Sequence, residues 1–250
     1  GGAQLMGLRQ FIVAILLCAA ATIANAGDGL NILVYGASGK IGSLVVLEAL
    51  DRGHRVTAVS RDPTRIETRH EHLVIAKGDL LDIASIRRLV RGQDVIISSV
   101  RGVIGDKSDP ANALQLVSVE NVVAALRTAG DSRARFIHVG GSGSLEVEPG
   151  VLFAEKLPKV LLPKGLESEI IGQIWALDFL RGVSDVMWTY ATPPKNLTNG
   201  KRTGRYRIGG DSVLVDGRGR SRISRADFAV AIVDEAETAE HVNQRFSVAY

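Results

Sequence analysis

The stretch "LNILVYGASGKIGSLVVLEALDRGHRVTAVSRDP", residues 30–63, decides the fold. It begins with an apolar strand, and Gly36, Gly39 and Gly42 lead into a helical pattern of apolar residues and then a second strand. In such a unit the first glycine makes the tight turn, the second lets the backbone approach a pyrophosphate, and the third lets the helix pack on the strand. The helix N-terminus adds N–H donors. The stretch therefore predicts a dinucleotide site; the alternative is a tight turn with incidental glycines.

The end of the second strand, residues 55–60, indicates which dinucleotide is bound. NAD-binding chains usually place an Asp or Glu there, which binds the ribose 2′-hydroxyl. This chain has Ser60 and Arg61 instead. A guanidinium and a hydroxyl can both donate to a 2′-phosphate, so the sequence predicts NADP. The alternative is that Arg61 is a solvated turn residue and Asp62 binds the ribose.

The first half of the chain continues as alternating strands and helices. Strands are predicted over residues 73–76, 94–100 and 135–139, and helices over residues 82–91 and 112–128. Strands and helices that alternate with short connections are typical of a parallel sheet with helices on both faces. The predicted fold class is α/β, a Rossmann-type doubly wound parallel sheet.

The second half is less regular, and it predicts a small C-terminal extension on the substrate side of the sheet. The predicted elements are a loop over residues 145–164, a helix over 166–181, a strand over 185–190, a hairpin over 200–219, a helix that begins at Ser224 and a strand over 245–250. Pro193 and Pro194 must end regular strand pairing. With 250 residues, the chain is long enough for one large core, so residues 27–250 are predicted to form one NAD(P)-binding Rossmann domain.

The carboxyl ends of the predicted strands are the expected walls of the cofactor cleft. In an open parallel sheet, ligands bind across these ends. The residues at these positions are Asp79, Leu80, Ser98, Ser99, Val100, Arg101, Gly140, Gly141 and Ser142.

The N-terminal segment, residues 1–26, predicts a secretory signal peptide or an N-terminal anchor. It has one arginine, an apolar run and the small residues "ANA" at its end, while its first five residues suggest a cloning remnant or a misassigned start. The apolar run is shorter than the roughly 20 residues of a membrane span. We expect an exported protein, or one associated with the membrane through this segment, if the segment is native, and a cytoplasmic protein otherwise. The one cysteine, Cys18, excludes an internal disulfide.

The net charge and the distribution of charged residues indicate which kinds of ligand the chain is expected to bind. The net charge of +3 favours small anionic ligands over a nucleic-acid surface. Eight Lys and Arg residues lie between positions 201 and 225, but Tyr206 is the one aromatic residue among them, so we expect a solvated hairpin, with Arg220 or Arg222 as candidates to meet an anionic substrate. His70 and His72 lack a third convergent ligand, so no metal is predicted. A monomer and a homodimer both remain open.

Further residues around these segments resemble one family, the atypical short-chain dehydrogenases grouped as NAD(P)H-flavin reductases, which are related to biliverdin-IXβ/flavin reductase. The motifs are "GASGKIG", "SRDP", "KGDL", "GGSGSLEVEPG", "TYATPP", "RTGRYRIGGDSVLVDGRGRSRISRADFAVAIVDE" and "QRFSVAY". The resemblance implies a Rossmann fold, NADPH as the cofactor, and hydride transfer to FMN, FAD or another flat conjugated acceptor.

The resemblance also implies roles for cofactor-binding residues. Ser60 and Arg61 would clamp the 2′-phosphate, and Asp79 with Leu80 would form the adenine wall. The pyrophosphate loop would consist of Gly36, Ser38, Gly39, Lys40, Ile41 and Gly42.

At the reacting end, the resemblance implies that Ser142 lies near the nicotinamide, as the candidate catalytic residue, with Pro193 and Pro194 beside the carboxamide. The Tyr-x-x-x-Lys dyad of ordinary short-chain dehydrogenases is absent, because Leu152 stands four residues before Lys156. The proton donor is therefore unassigned. A flavin tolerates this, since its reduced form can take a proton from water while the protein positions the rings.

Two other functions remain open. The missing dyad also suits a non-catalytic NADP-sensing regulator. An isomerase or epimerase with a tightly bound nicotinamide cofactor is the third hypothesis. His138, inside a predicted strand, is expected to be a packed core residue, and Tyr190 either approaches the nicotinamide or caps the core.

Overall fold

The computed structural model describes residues 29–129, 133–158, 162–163 and 165–250. We number the strands and α-helices of these residues in chain order. The strands are β1 (Asn31–Tyr35), β2 (Arg55–Ser60), β3 (Leu73–Lys77), β4 (Val95–Ser98), β5 (Arg135–Val139), β6 (Glu146–Glu148), β7 (Val151–Leu152), β8 (Trp188–Thr192), β9 (Asn196–Thr198), β10 (Arg207–Gly209), β11 (Arg222–Ser224) and β12 (Gln244–Ala249). The helices are α1 (Gly42–Asp51), α2 (Ile83–Leu89), α3 (Leu114–Thr128), α4 (Leu166–Arg181) and α5 (Arg225–Thr238).

Eight of these strands form one sheet in the order β10-β12-β8-β5-β4-β1-β2-β3. All neighbours in it pair in parallel except β10, which is antiparallel to β12. The chain order reverses between β1 and β4, which is the switch point where open α/β sheets bind ligands. The predicted Rossmann-type doubly wound sheet is confirmed.

Two apolar cores lie on opposite faces of this sheet. On one face, Val45 of α1 and Phe228 of α5 pack against strand residues such as Ile32. On the other face, α2, α3 and α4 contribute residues such as Val122 and Leu177. Because the strands are buried on both sides, β1 and β4 are nearly continuous apolar runs, as parallel strands usually are.

The predicted hairpin over residues 200–219 is wrong. Arg207–Gly209 instead forms β10, which pairs with β12 in the register Arg207↔Ala249 to Gly209↔Ser247. Ser212, in the same segment, forms an isolated β-bridge with Glu146 of β6, which is distant in sequence. The β-forming residues of this segment therefore find partners that are distant in sequence, which a local alternating pattern does not indicate.

The predicted loop over residues 145–164 contains regular structure. The strands β6 and β7 form a small hairpin around Gly150, whose φ is +75°, and a 3-10 turn follows at Phe153–Lys156. The strand expected over 185–190 begins three residues later, as β8, and it ends at Thr192 directly before the two prolines, as predicted. A second small sheet, β9 with β11, follows them.

The segment predicted as a signal peptide or anchor, with Cys18, lies outside the described residues. Among the helices that the structure describes, none has the length and apolar character needed to cross a membrane.

Candidate functional site

The turn between β1 and α1 leaves no room for side chains at two of its glycines. Gly36 has a φ of +75°, and a Cβ there would lie 2.2 Å from the Ser99 carbonyl oxygen. A Cβ on Gly42 would lie 2.2 Å from the Gly36 carbonyl oxygen, which also accepts the Gly39 N–H at 2.9 Å. The turn is therefore held tightly against the end of β4.

The start of α1 presents free backbone donors. The N–H groups of Lys40 and Ile41 have no acceptor among the described residues, and Ile41, the N-cap residue, provides no side-chain cap. Gly39 and Lys40 are exposed. Unpaired N–H groups and the positive end of a helix fit the pyrophosphate of a dinucleotide.

A cleft of about 700 Å³ opens over this turn, at the carboxyl ends of the central strands. Its volume is within the range of roughly 300–1,000 Å³ that small-molecule sites occupy. The cleft brings together most of the residues that the sequence predicts for the site. These residues are Gly39, Lys40, Ile41, Ser99, Val100, Arg101, Gly140, Gly141, Ser142, Pro193 and Pro194.

Other predicted residues do not line this cleft. Ser98 is fully buried in β4, and its hydroxyl has no partner among the described residues. Leu80 packs in the core, and its carbonyl accepts the side-chain amide of Asn121 at 2.8 Å. Ser38 and Ser60 lie beside the turn with their hydroxyl oxygens 3.4 Å apart. Gly36 and Gly42 belong to the closely packed part of the turn and do not line the cleft.

Ser142 begins a 3-10 turn, Ser142–Ser144, that follows β5 closely. The Ser144 hydroxyl donates to the Gly141 carbonyl at 3.0 Å, and Arg245 of β12 donates to the Ser144 carbonyl at 2.8 Å. The Ser142 hydroxyl has no partner among the described residues and lines the cleft. The turn is thus fixed in place, and it leaves the Ser142 hydroxyl free at the wall of the cleft.

Tyr190, Gln173 and His138 form a buried group under the cleft. The Tyr190 hydroxyl donates to the backbone carbonyl and to Oε1 of Gln173, at 2.8 and 2.9 Å. The same Oε1 lies 3.3 Å from Nε2 of His138. Burial lowers the pKa of His138 to about 4 and raises the pKa of Tyr190, so both side chains are neutral at neutral pH. His138 is a core residue, as predicted, and Tyr190 caps the core. Because Oε1 is occupied, the amide nitrogen of Gln173 is left for a ligand.

Some charged side chains of the cleft form ion pairs with each other, and others do not. Glu169 of α4 is bound by Arg101, with Nε to Oε1 at 3.0 Å, and by the side-chain amide of Gln115 at 2.8 Å. Lys195 and Arg225 also line the cleft, and neither forms an ion pair within the described part of the chain. The wall of the cleft that carries Lys195 and Arg225 is therefore positively charged.

A second pocket of about 300 Å³ lies beyond the ends of β2 and β3. Arg61, Lys77 and Arg88 line it, and none of the three forms an ion pair with a described residue. Asp79 and Asp82 also line it, but each carboxylate accepts the N–H two residues later, at 3.0 and 2.9 Å. The pocket combines three cations that form no ion pair with a described residue and two carboxylates that cap turns, which suits an anion.

The alternative ribose ligand, Asp62, belongs to a turn. Its carboxylate accepts the Thr64 hydroxyl at 2.6 Å and the Thr64 N–H at 3.2 Å, and these bonds hold the pKa of Asp62 below its usual range. The Ser60 hydroxyl donates to the Asp62 carbonyl at 2.9 Å. Arg61, between them, is exposed.

The sequence assigns no site role to the rest of the cleft lining, although Arg225 and Phe228 lie within one of the family motifs. This part of the lining includes Phe153, Glu169, Gln173, Lys195, Arg225 and Phe228. The sequence indicates the position of Lys195 indirectly, because Lys195 directly follows the two prolines. Arg220 and Arg222, which the sequence offers for an anionic substrate, do not line the cleft, and Arg220 pairs with Asp216 at 2.9 Å.

Comparison with known proteins agrees with this geometry. Residues 36–238 match a family model described as NAD(P)H-binding. The chain is 30% identical over 224 residues to the uncharacterized protein YwnB of Bacillus subtilis, and the match covers 88% of this chain and 98% of that protein.

Two solved structures share the fold. A candidate epimerase from Bacteroides thetaiotaomicron is 32% identical with a TM-score of 0.78, and the match covers 89% of this chain and 97% of that one. A candidate NADH-flavin reductase from Streptococcus pneumoniae is 30% identical with a TM-score of 0.73, covering 88% and 99%. This chain therefore belongs to the NAD(P)H-binding family, with an oxidoreductase-like Rossmann fold and a site for a nicotinamide cofactor.

Proposed function

We propose that this chain is an NADPH-dependent reductase that transfers a hydride to a flavin or a related flat, conjugated acceptor. The composition of the cleft carries the proposal. It joins the free donors of the glycine turn to apolar side chains such as Phe153, Ile170 and Phe228. Among the described residues that line it, there is no tyrosine, histidine, cysteine or aspartate.

This lining lacks the tyrosine that donates the proton in ordinary short-chain dehydrogenases, and it therefore favours an acceptor that needs no such donor. A ketone must receive a proton on its oxygen, and Tyr190 is poorly placed to give one, because it is buried, donates to Gln173 and has a raised pKa. A flavin gains the hydride on its ring and takes a further proton from water. The products are then NADP⁺ and the two-electron-reduced acceptor, so that atoms and electrons balance.

The residues of this chain would contribute positioning, through both backbone and side-chain groups. Lys40 and Ile41 would bind the pyrophosphate through their N–H groups, and the nicotinamide, when bound, supplies the hydride. The free hydroxyl of Ser142 and the amide nitrogen of Gln173 would donate to carbonyl oxygens of the acceptor. Holding two rings in contact in this way removes most of the entropic cost of bringing them together.

The second pocket supports NADPH over NADH. Its unpaired cations, Arg61, Lys77 and Arg88, form an anion site beyond β2, where a 2′-phosphate would lie. The acidic residue nearest in sequence, Asp62, is engaged by Thr64. An NAD-specific site would instead need a carboxylate free to bind the ribose.

The test is a titration of purified protein with NADPH and NADH, followed by NADPH oxidation with FMN, riboflavin and a quinone. We expect preferred binding of NADPH and oxidation that depends on the acceptor. Gly42→Val should abolish binding because its Cβ would meet the Gly36 carbonyl, whereas Gly217→Val, at an open position, should not.

Two outcomes would favour the other hypotheses. Binding of NADPH without oxidation by any acceptor would indicate a regulatory protein. A nicotinamide retained through purification, with no net oxidation, would indicate an epimerase, the activity suggested by the name of the Bacteroides structure.

A further inference from the structure

Lys195 is fixed at the acceptor side of the cleft. Its Nζ lies 4.5 Å from the centre of the Phe153 ring, which is a cation–π contact. Its backbone N–H donates to the Ser221 hydroxyl at 3.2 Å, and the two prolines precede it directly. Both the backbone and the ammonium group therefore have defined positions, which is unusual for a lysine with no carboxylate partner.

The surroundings leave the charge of Lys195 unneutralised. Among the described residues that line the cleft, the one acidic residue is Glu169. Arg101 and Gln115 already bind its carboxylate. Arg225, the next cation along the wall, donates to the side-chain oxygen of Asn199, which is neutral. A bound anion would neutralise this side of the cleft.

The pyrophosphate of the cofactor has its own donors elsewhere. The glycine turn presents the N–H groups of Lys40 and Ile41 and the ammonium group of Lys40. Lys195, by contrast, contacts Phe153, which follows β7 and belongs to the apolar wall of the cleft. The anion that meets Lys195 is thus part of the second ligand.

We propose that Lys195 binds an anionic group on the acceptor, a phosphate or a carboxylate, and thereby selects anionic acceptors over uncharged ones with the same ring. This proposal rests on the proposed function and specifies its substrate class. The Phe153 ring holds the ammonium group at the edge of the cleft, so the conjugated part of the acceptor lies on the apolar side chains and its charged tail reaches Lys195.

FMN and riboflavin test this proposal because they share one ring system and differ by a phosphate. Their affinities are measured by quenching of flavin fluorescence, with the protein free and with it saturated with NADP⁺, and their KM values are measured with NADPH. We expect wild-type protein to bind FMN about tenfold or more tighter than riboflavin, as a charge-assisted contact would give.

The variants separate charge from structure. Lys195→Met should remove most of the preference for FMN while changing riboflavin affinity much less, and Lys195→Arg should restore the preference. Lys201→Met, which removes an exposed lysine outside the cleft, should keep the wild-type ratio.

Three results would overturn the proposal: wild-type protein that binds FMN no better than riboflavin, protein that binds neither, and a Lys195→Met variant that weakens both ligands equally. Failure of the proposed function is distinct, since it would appear as absent NADPH binding or as no NADPH oxidation with riboflavin or a quinone.

Discussion

The ring of Tyr190 lies directly behind Gly140, so close that a Cβ on Gly140 would be 2.0 Å from Cε1 of the ring. Tyr190 is fully buried on β8, and Gly140 follows the neighbouring strand β5, with its N–H bonded to the Ala191 carbonyl at 2.8 Å. The sheet therefore prevents either residue from moving away. Only glycine therefore fits at position 140, where the backbone lines the cleft directly above the Tyr190 ring.

Gly140→Ala should lower the free energy of unfolding by about 1–3 kcal/mol, the usual cost of overpacking, and should weaken NADPH binding by displacing the turn at Ser142. Urea denaturation and a cofactor titration measure the two effects. Gly217→Ala is the matched control, because a Cβ there meets nothing within 4 Å. Equal stabilities of the two variants would contradict the packing that the structure gives.

Tyr190→Phe should lower the free energy of unfolding by about 0.5–1.5 kcal/mol, because it removes a buried hydroxyl that donates to Gln173. It should also raise the KM for the acceptor, since the Gln173 side chain loses its anchor under the cleft. Tyr206→Phe is the control: that hydroxyl donates to Asp234, outside the cleft. We expect both variants to lose stability in denaturation experiments and only Tyr190→Phe to change KM. A shift in KM for both variants would contradict the role assigned to the Tyr190 hydroxyl in holding Gln173.

Arg61→Ala should reduce the preference for NADPH over NADH by roughly 10–100-fold, the value of a charge-assisted hydrogen bond. The loss should fall on NADPH, with NADH affinity nearly unchanged. Arg205→Ala, which removes an exposed arginine outside both pockets, should leave the ratio intact. Parallel titrations with the two cofactors give the ratio directly, and an unchanged ratio in Arg61→Ala would place the 2′-phosphate elsewhere.

Asp227 should make stability depend on pH. It is fully buried at the start of α5, and its carboxylate accepts four hydrogen bonds of 2.6–2.8 Å, from the N–H and hydroxyl of Thr203, the Gly204 N–H and the Tyr250 hydroxyl. Burial alone would raise the pKa of Asp227, but these bonds outweigh it and the pKa lies below its ordinary value.

Because the folded-state pKa is depressed, the carboxylate stabilises the fold above its unfolded pKa of about 3.9, and this stabilisation is lost as pH falls through the folded value. Asp227→Asn should therefore be less stable than wild type above about pH 5, with a difference that shrinks toward pH 3. Urea denaturation across this range measures it. Asp51→Asn, at an exposed position, should show no such trend, and a gap in Asp227→Asn that is constant with pH would exclude the ionised carboxylate as the cause.

Local patterns were sufficient to predict that the glycine turn and the neighbouring strand ends line one cleft. The glycine turn, the strand ends at Ser99 and Gly140, and the two prolines all follow directly from strand–turn–helix signals, and all meet at one edge of the sheet. Parallel strands bring their carboxyl ends together whatever the details of each loop. The strand end after Gly140 also includes Ser142, and the resemblance to a family added its expected role near the nicotinamide.

The acceptor side could not be predicted in this way. Helical spacing over 166–181 indicates a helix with an apolar face, but it does not indicate that Gln173 reaches the cleft while its Oε1 is held by Tyr190. Phe153 and Lys195 meet although they are far apart in sequence. The misassigned hairpin has the same origin, because β10 pairs with the distant strand β12.

Pro193 and Pro194 mark the place where the wall of the cleft passes from the large sheet to a small one. Before them, main-chain hydrogen bonds of the large sheet hold the strand ends that line the cleft, such as Ser99 and Gly140. After them, the chain leaves that sheet for β9, rejoins it at β10, and then pairs with β9 again as β11. Lys195, Leu197 and Arg225, beside this small sheet, complete the wall of the cleft. Residues 195–199, which carry Lys195 and Leu197 and end before β10, are therefore a short segment that can be grafted from a relative, and under the proposed function the graft should change which acceptor is used while NADPH remains the hydride donor.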